Sequence, residues 1–289
     1  LKDTSNNTNE KTTLDLGSID RLPPEVVKVS STVDKTNKKE TIVFDIVDKY
    51  LKTSTLGTTT TEANNNLSKL HVFVDDEAAD NITKEITKVE KLTDTIGTTT
   101  NQLIGYRYTL ELTNFEKSKN SKGVKDWSGT VRVDVDAAVA IDTNGNTSDE
   151  TSIECGFVDL IKPYLEYTHQ SSDISTTNKT YTMKFRITDK YYKSGKLTLN
   201  DLTVKIKNGQ LKNGSEIVYN LSDLAKAGTV TLSLSDTEVY ANDINITDET
   251  TGEVGLYTSQ LIGYEYTLKI SNLEKLQIAD GMTTADYSG

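Results

Sequence analysis

The chain has 289 residues, 35% hydrophobic and 26% charged, with 43 acidic against 32 basic side chains and a net charge of −11. That length suits two ordinary domains or one large one, and the acidic balance with scattered lysines excludes nucleic acid as a partner, since phosphate binding needs clustered Lys and Arg. A single cysteine, Cys155, excludes an intrachain disulfide, and no apolar run approaches the ~20 residues that carry a helix across a bilayer.

In chain order, the sequence opens on Leu1-Lys2-Asp3 with neither an initiator Met nor a signal peptide, as expected of a portion of a longer protein. Residues 3–20 (DTSNNTNEKTTLDLGSID) align with 142–159 (DTNGNTSDETSIECGFVD) at seven of eighteen positions. Pro23-Pro24 then suits entry into an edge strand, because proline cannot donate to a sheet ladder. Strands are expected at 25–29 and 41–50, and residues 36–50 match 177–191 at nine of fifteen positions. The Thr run 58–61 reads as a flexible loop. A strand at 70–74 leads to Asp75-Asp76-Glu77, read as a solvated hairpin tip whose counterpart is Lys207-Asn208-Gly209.

Strands follow at 86–92 and 104–112. Residues 102–117 match 260–275 at eleven of sixteen positions. Ile104, Tyr106, Tyr108, Leu110 and Leu112 recur as Ile262, Tyr264, Tyr266, Leu268 and Ile270, while Arg107 becomes Glu265 and Glu111 becomes Lys269. A face that stays apolar while the other reverses charge is a core face opposite a solvent face. Trp127, matched by Tyr287 in a second D-x-S-G block at 286–289, packs at a corner. Strands at 130–136 and 151–158 complete the first copy. Lys162-Pro163 opens the second, in which 221–227 (LSDLAKA) could hold a helical turn.

The three matched blocks occur in the same order, so one repeat appears twice. The expected organisation is 1–20 as the closing strand of a preceding module, 21–159 as a complete module, and 160–289 as a second module lacking its last strands. About seven short strands per module, separated by Asn, Asp, Gly and Thr turns, predict an all-β fold of tandem Ig-like antiparallel β-sandwich modules.

The T-x-x-F-x-[IV]-x-D-K-Y strand (41–50 and 182–191), the G-Y-x-Y-T-L strand, the W/Y-S-G block with its T-V-x-V strand and the D-T-N-G-N turn resemble bacterial Ig-like repeats of large cell-surface proteins from low-GC Gram-positive bacteria. The resemblance implies an extracellular setting, at the bacterial cell surface or secreted, and a load-bearing or adhesive role. Its motifs are scaffold and carry no reaction.

Candidate chemistry is sparse. His71 reads as a surface residue and His169 as part of a polar turn; Cys155, matched by Leu16, reads as a small core residue and not a nucleophile. No lysine falls on a recognisable core face. No nucleophile-elbow or phosphate-loop signature occurs. Asp142, Asn144 and Asn146 offer oxygens at alternate positions around Gly145, with Asp149 behind, which is the pattern of a calcium loop. The competing reading is an Asn/Gly turn leading into the last strand.

These observations predict a non-enzymatic structural or adhesive segment, a stalk or spacer, with no resident cofactor beyond that calcium candidate. Its partners would be neighbouring modules, other copies of itself, or a host or surface ligand. The alternative is a self-assembling filament or surface-array subunit joined by strand complementation, motivated by the offset between chain ends and repeat ends.

Overall fold

The computed structural model describes residues 4–5, 7–8, 20–116, 127–168, 173–175, 177, 180–210, 216–226, 228, 230–248 and 250–272. Most of the expected tail at 3–20, His169 and the 286–289 block lie outside the described residues. The chain is all-β, built from antiparallel sheets.

In the N-terminal half the strands are β1 (Glu25–Asp34), β2 (Lys39–Val47), β3 (Leu51–Ser54), β4 (Leu70–Val74), β5 (Glu77–Ala78), β6 (Thr83–Ile96), β7 (Thr99–Thr113), β8 (Gly129–Val135), β9 (Ala140–Asp142) and β10 (Thr151–Val158), with a short helix α1 (Thr60–Asn65). They form two four-stranded sheets, ordered β1-β2-β7-β6 and β10-β8-β4-β5, and a β3-β9 pair. The period-two faces meet in one core. Ile42, Phe44, Ile46, Tyr108, Leu110 and Leu112 from the first sheet and Leu70, Val74, Val131, Val133 and Val135 from the second have no exposed surface. The Phe44 and Tyr108 rings stack at 5.3 Å, and the Tyr108 hydroxyl lies 2.7 Å from both Ser54 Oγ and the Gly57 carbonyl, so its polar end is satisfied inside the core.

Cys155 is buried there, and burial pushes its thiol pKa well up, as suits an inert core residue. His71 is exposed and meets Asp136 at 3.0 Å. Trp127 is buried and donates its amide to the Phe115 carbonyl. The run 58–61 departs from the loop expectation. Thr59 caps the Glu62 amide at 3.3 Å, and Glu62 accepts from the Thr58 amide at 2.8 Å, which starts α1.

The C-terminal half contains β11 (Tyr164–Tyr167), β12 (Asp173–Ser175), β13 (Thr180–Thr188), β14 (Lys205–Gln210), β15 (Glu216–Asn220), α2 (Leu221–Lys226), β16 (Thr231–Ala241), β17 (Ile244–Thr247), β18 (Val254–Tyr257) and β19 (Gln260–Ser271). Its main sheet runs β11-β13-β19-β16, with β12 also on β13. The order β1-β2-β7-β6 thus recurs on the segments matched in sequence, down to a second stacked pair, Phe185 with Tyr266 at 5.3 Å.

The halves differ in two ways. Where β6 and β7 join by a tight turn, β16 and β19 are separated by the β17-β18 hairpin. And the sheet face that β10-β8-β4-β5 covers in the N-terminal half is more open in the C-terminal half: Met183 and Ile187 are half-buried, and Leu165 and Tyr167 are 55% and 63% exposed.

Candidate functional site

Two polar clusters stand out, and both form around the repeated Asp-Lys-Tyr triplet that directly follows β2 and β13. The triplet folds the same way twice. The Asp48 amide donates to the Ile104 carbonyl and the Asp189 amide to the Ile262 carbonyl, both at 2.8 Å. The Asp48 carboxylate accepts from the Tyr50 amide at 2.6 Å, and the Asp189 carboxylate from the Tyr191 amide at 2.8 Å. Each aspartate turns the chain back on itself, a habit of Asx residues leaving a strand. Each lysine ammonium then lies near its tyrosine ring, 5.1 Å from the centroid at Tyr50 and 5.5 Å at Tyr191.

The second copy of the triplet is occupied by the first half of the chain. Asp75 and Asp76, both in the left-handed region at φ 48° and 60°, form the two-residue turn between β4 and β5. The Asp75 carboxylate enters the C-terminal half with no exposed surface. It accepts from Lys190 Nζ at 2.7 Å, from the Thr130 amide at 2.7 Å, and from the Tyr191 and Thr247 hydroxyls. Lys190, 5% exposed, also donates to the Ser128 carbonyl at 2.9 Å. Asn245 donates to the Asp75 carbonyl at 2.8 Å, and the Thr247 amide donates to the Tyr191 oxygen at 3.0 Å. Phe157 stands edge-on to the Tyr191 ring at 4.9 Å. Burial, then the bond to Asp75, push the Tyr191 hydroxyl pKa well up, so it stays a donor.

Gly129 makes room for this arrangement. Its φ is 149°, and a Cβ there would run into the Asp75 carboxyl group. The reading of 75–77 as a solvated tip is therefore corrected at Asp75: each of its charge-bearing contacts is made at least 55 residues away, out of reach of local pattern. A signal was present, since a polar triplet repeated unchanged while its neighbours vary marks a constrained polar site.

The first copy of the triplet borders the second cluster. Lys49 is exposed, and a cleft of ≈ 580 Å³ lies beside it, lined by Asp20, Leu22, Glu25, Asp48, Tyr50 and Asp94, among others. Carboxylate oxygens of Asp20, Asp48 and Asp142 converge within 4.8 Å of one another, close enough to share a cation. Burial, partly offset by the Tyr50 amide, raises the Asp48 pKa, and Asp20, Asp142 and Glu25 raise it further.

The four sequence candidates divide here. Asp142 is buried in the cluster, and its carboxylate accepts the Asn144 and Asn146 amides at 2.8 Å each and the Asn146 side-chain nitrogen at 2.6 Å. Burial pushes its pKa up, but these hydrogen bonds outweigh burial and leave it below the usual range. Asn144 and Asn146 direct side-chain nitrogens at the Asp20 carbonyl, at 3.5 and 3.3 Å, and so act as donors there. Asp149 is exposed and is not among the converging carboxylates, whereas Asp20 and Asp48, which the loop pattern did not point to, are.

No described helix is long and apolar enough to cross a membrane. Compared with known protein families, curated proteins and solved structures, the chain matches none.

Proposed function

We propose that this chain is a non-enzymatic, load-bearing segment of a bacterial cell-surface or secreted protein, built from tandem Ig-like β-sandwich modules that stack through a specific polar joint. The observation that carries this reading is the buried Asp75–Lys190 pair spanning the two halves, with Tyr191 and Thr247 closing on the same carboxylate. Charge buried between two halves is costly unless both partners are held in place, so it favours one relative orientation over all others. A spacer transmitting force needs such a joint; a flexible string of beads does not. The repeated blocks and the recurring β1-β2-β7-β6 order support the modular reading.

Residual dipolar couplings of the full chain test it. One alignment tensor shared by β2/β7 and β13/β19 is expected. Two independent tensors would mean that the halves tumble freely, and would sink the reading.

Self-assembly by strand complementation has one observation in its favour, the exposed Leu165 and Tyr167. It is weakened by register. Residues 3–20 align with 142–159, which runs from the last residue of β9 through β10, and β10 is an edge strand that pairs with β8. A neighbour donating residues 3–20 would bring the edge strand without the strand it pairs with.

A further inference from the structure

The two copies of the Asp-Lys-Tyr turn share their backbone hydrogen bonds and their lysine-over-tyrosine geometry, yet among the described residues only one is filled. Lys190 is buried under Asp75, whereas Lys49 faces solvent beside a cleft of ≈ 580 Å³. No described residue meets Lys49 Nζ or the Tyr50 hydroxyl with a hydrogen bond. The turn is thus already folded into its receiving shape before anything is received, which removes the ordering cost from binding.

We propose that Lys49 and Tyr50 form a socket for the carboxylate-bearing hairpin tip of a preceding unit of the same kind, received as Asp75 is received by Lys190 and Tyr191. This rests on the reading of the chain as stacked modules. The occupant's chemistry is set by the filled copy: a two-residue turn with left-handed backbone at both positions and an aspartate at the first. A second copy of this chain does not offer one. Its Asp75 is already enclosed in its own joint, and the sequence counterpart of that tip in its second half, Lys207-Asn208-Gly209, lies inside strand β14 and carries no carboxylate.

The socket is also the weaker of the two. Thr247 and Asn245, which help grip Asp75, come from the β17-β18 hairpin, and the N-terminal half has the tight turn around Gly97 in its place. Asp20, Glu25, Asp48 and Asp94 line the rest of the cleft, so the entering carboxylate is admitted only at the Lys49–Tyr50 corner.

The test uses the full chain, ¹⁵N-labelled, and a backbone-cyclised hairpin peptide with the sequence of residues 70–79. Saturable shifts of the Lys49 and Tyr50 amides are expected at millimolar peptide. The apparent affinity should fall about tenfold, the scale of one charge-assisted hydrogen bond, with either the Asp75→Ala peptide or the Lys49→Ala chain. Absence of shifts at Lys49 and Tyr50, equal binding by the Asp75→Ala peptide, or shifts centred on Lys190 would each overturn the socket. So would self-association of the peptide-free chain that Lys49→Ala abolishes, since the occupant would then be a second copy. A single alignment tensor together with a silent Lys49 would reject the socket and leave the stacked-module reading standing.

Discussion

Lys190 Nζ lies 2.7 Å from Asp75 Oδ2, with the two side chains 5% and 0% exposed, so this ion pair joins the two halves of the chain out of reach of water. Removing one partner strands the other charge in the joint. Lys190→Met and Asp75→Ala should each cost about 3 kcal/mol, and the double variant should cost much less than their sum. Chemical denaturation of the four proteins in the cycle measures this. Additive losses would mean that the pair is not coupled.

The Gly129 backbone bears on the same joint without touching its charges. A Cβ at this position meets the Asp75 carboxyl group, and φ 149° is strained for any other residue. Gly129→Ala is expected to dislodge Asp75 and raise hydrogen exchange at Thr130 and Thr247 by more than tenfold, a shift of about 1.4 kcal/mol in local opening. Unchanged exchange at both amides would show that the joint tolerates the methyl group.

How much of this was legible beforehand follows from the range of each contact. The faces of β2 and β7 were readable because alternation along one strand already separates core from solvent: Ile42, Phe44, Tyr108 and Leu110 are all fully buried. Helix α1 was hidden by a threonine run that reads as loop, although Thr59 and Glu62 carry the spacing of a capping box. Asp75 was misplaced because its partners Lys190 and Tyr191 lie 115 and 116 positions away, and an isolated Asp-Asp-Glu is most simply solvated. The acidic cluster was half visible. Local spacing picked out Asp142, but Asp20 and Asp48 reach it from other segments, while the neighbouring Asp149 points elsewhere into solvent.

Glu40 gives the N-terminal half a pH dependence of its own. Its side chain has no exposed surface; Oε1 accepts from Ser31 at 2.7 Å, and Oε2 has no hydrogen-bond partner. Burial raises its pKa to about 7, with Ser31 and Lys28 opposing the rise. Because the folded value exceeds the unfolded one, the protonated acid's contribution is fully present below about pH 4.5 and is lost as pH rises through about 7. A shift of this size corresponds to roughly 3 kcal/mol. Glu40→Gln should flatten the stability profile between these limits and be the more stable protein at pH 8. Parallel profiles for the two proteins would refute the assignment.

At the acidic cluster the same sign holds, with neighbouring carboxylates adding to the effect of burial. Asp48 is raised by burial and by the nearby Asp20, Asp142 and Glu25, so its ionisation opposes the folded state as pH rises through its folded pKa. Asp48→Asn keeps an oxygen acceptor for the Tyr50 amide while removing one of the three converging charges. Without added cation it should raise stability at pH 7 by roughly 0.5 kcal/mol, the scale of a partly solvated charge contact. Asp142→Asn should do the opposite: its carboxylate is held below the usual range by the Asn146 and Asn144 donors, so its contribution is present at neutral pH and lost on acidification. A calcium titration followed by thermal melting separates repulsion from ligation. If the three carboxylates hold a cation, millimolar calcium stabilises the parent chain and neither variant. If they only repel, calcium leaves all three melting curves in place and the opposite signs of the two substitutions persist.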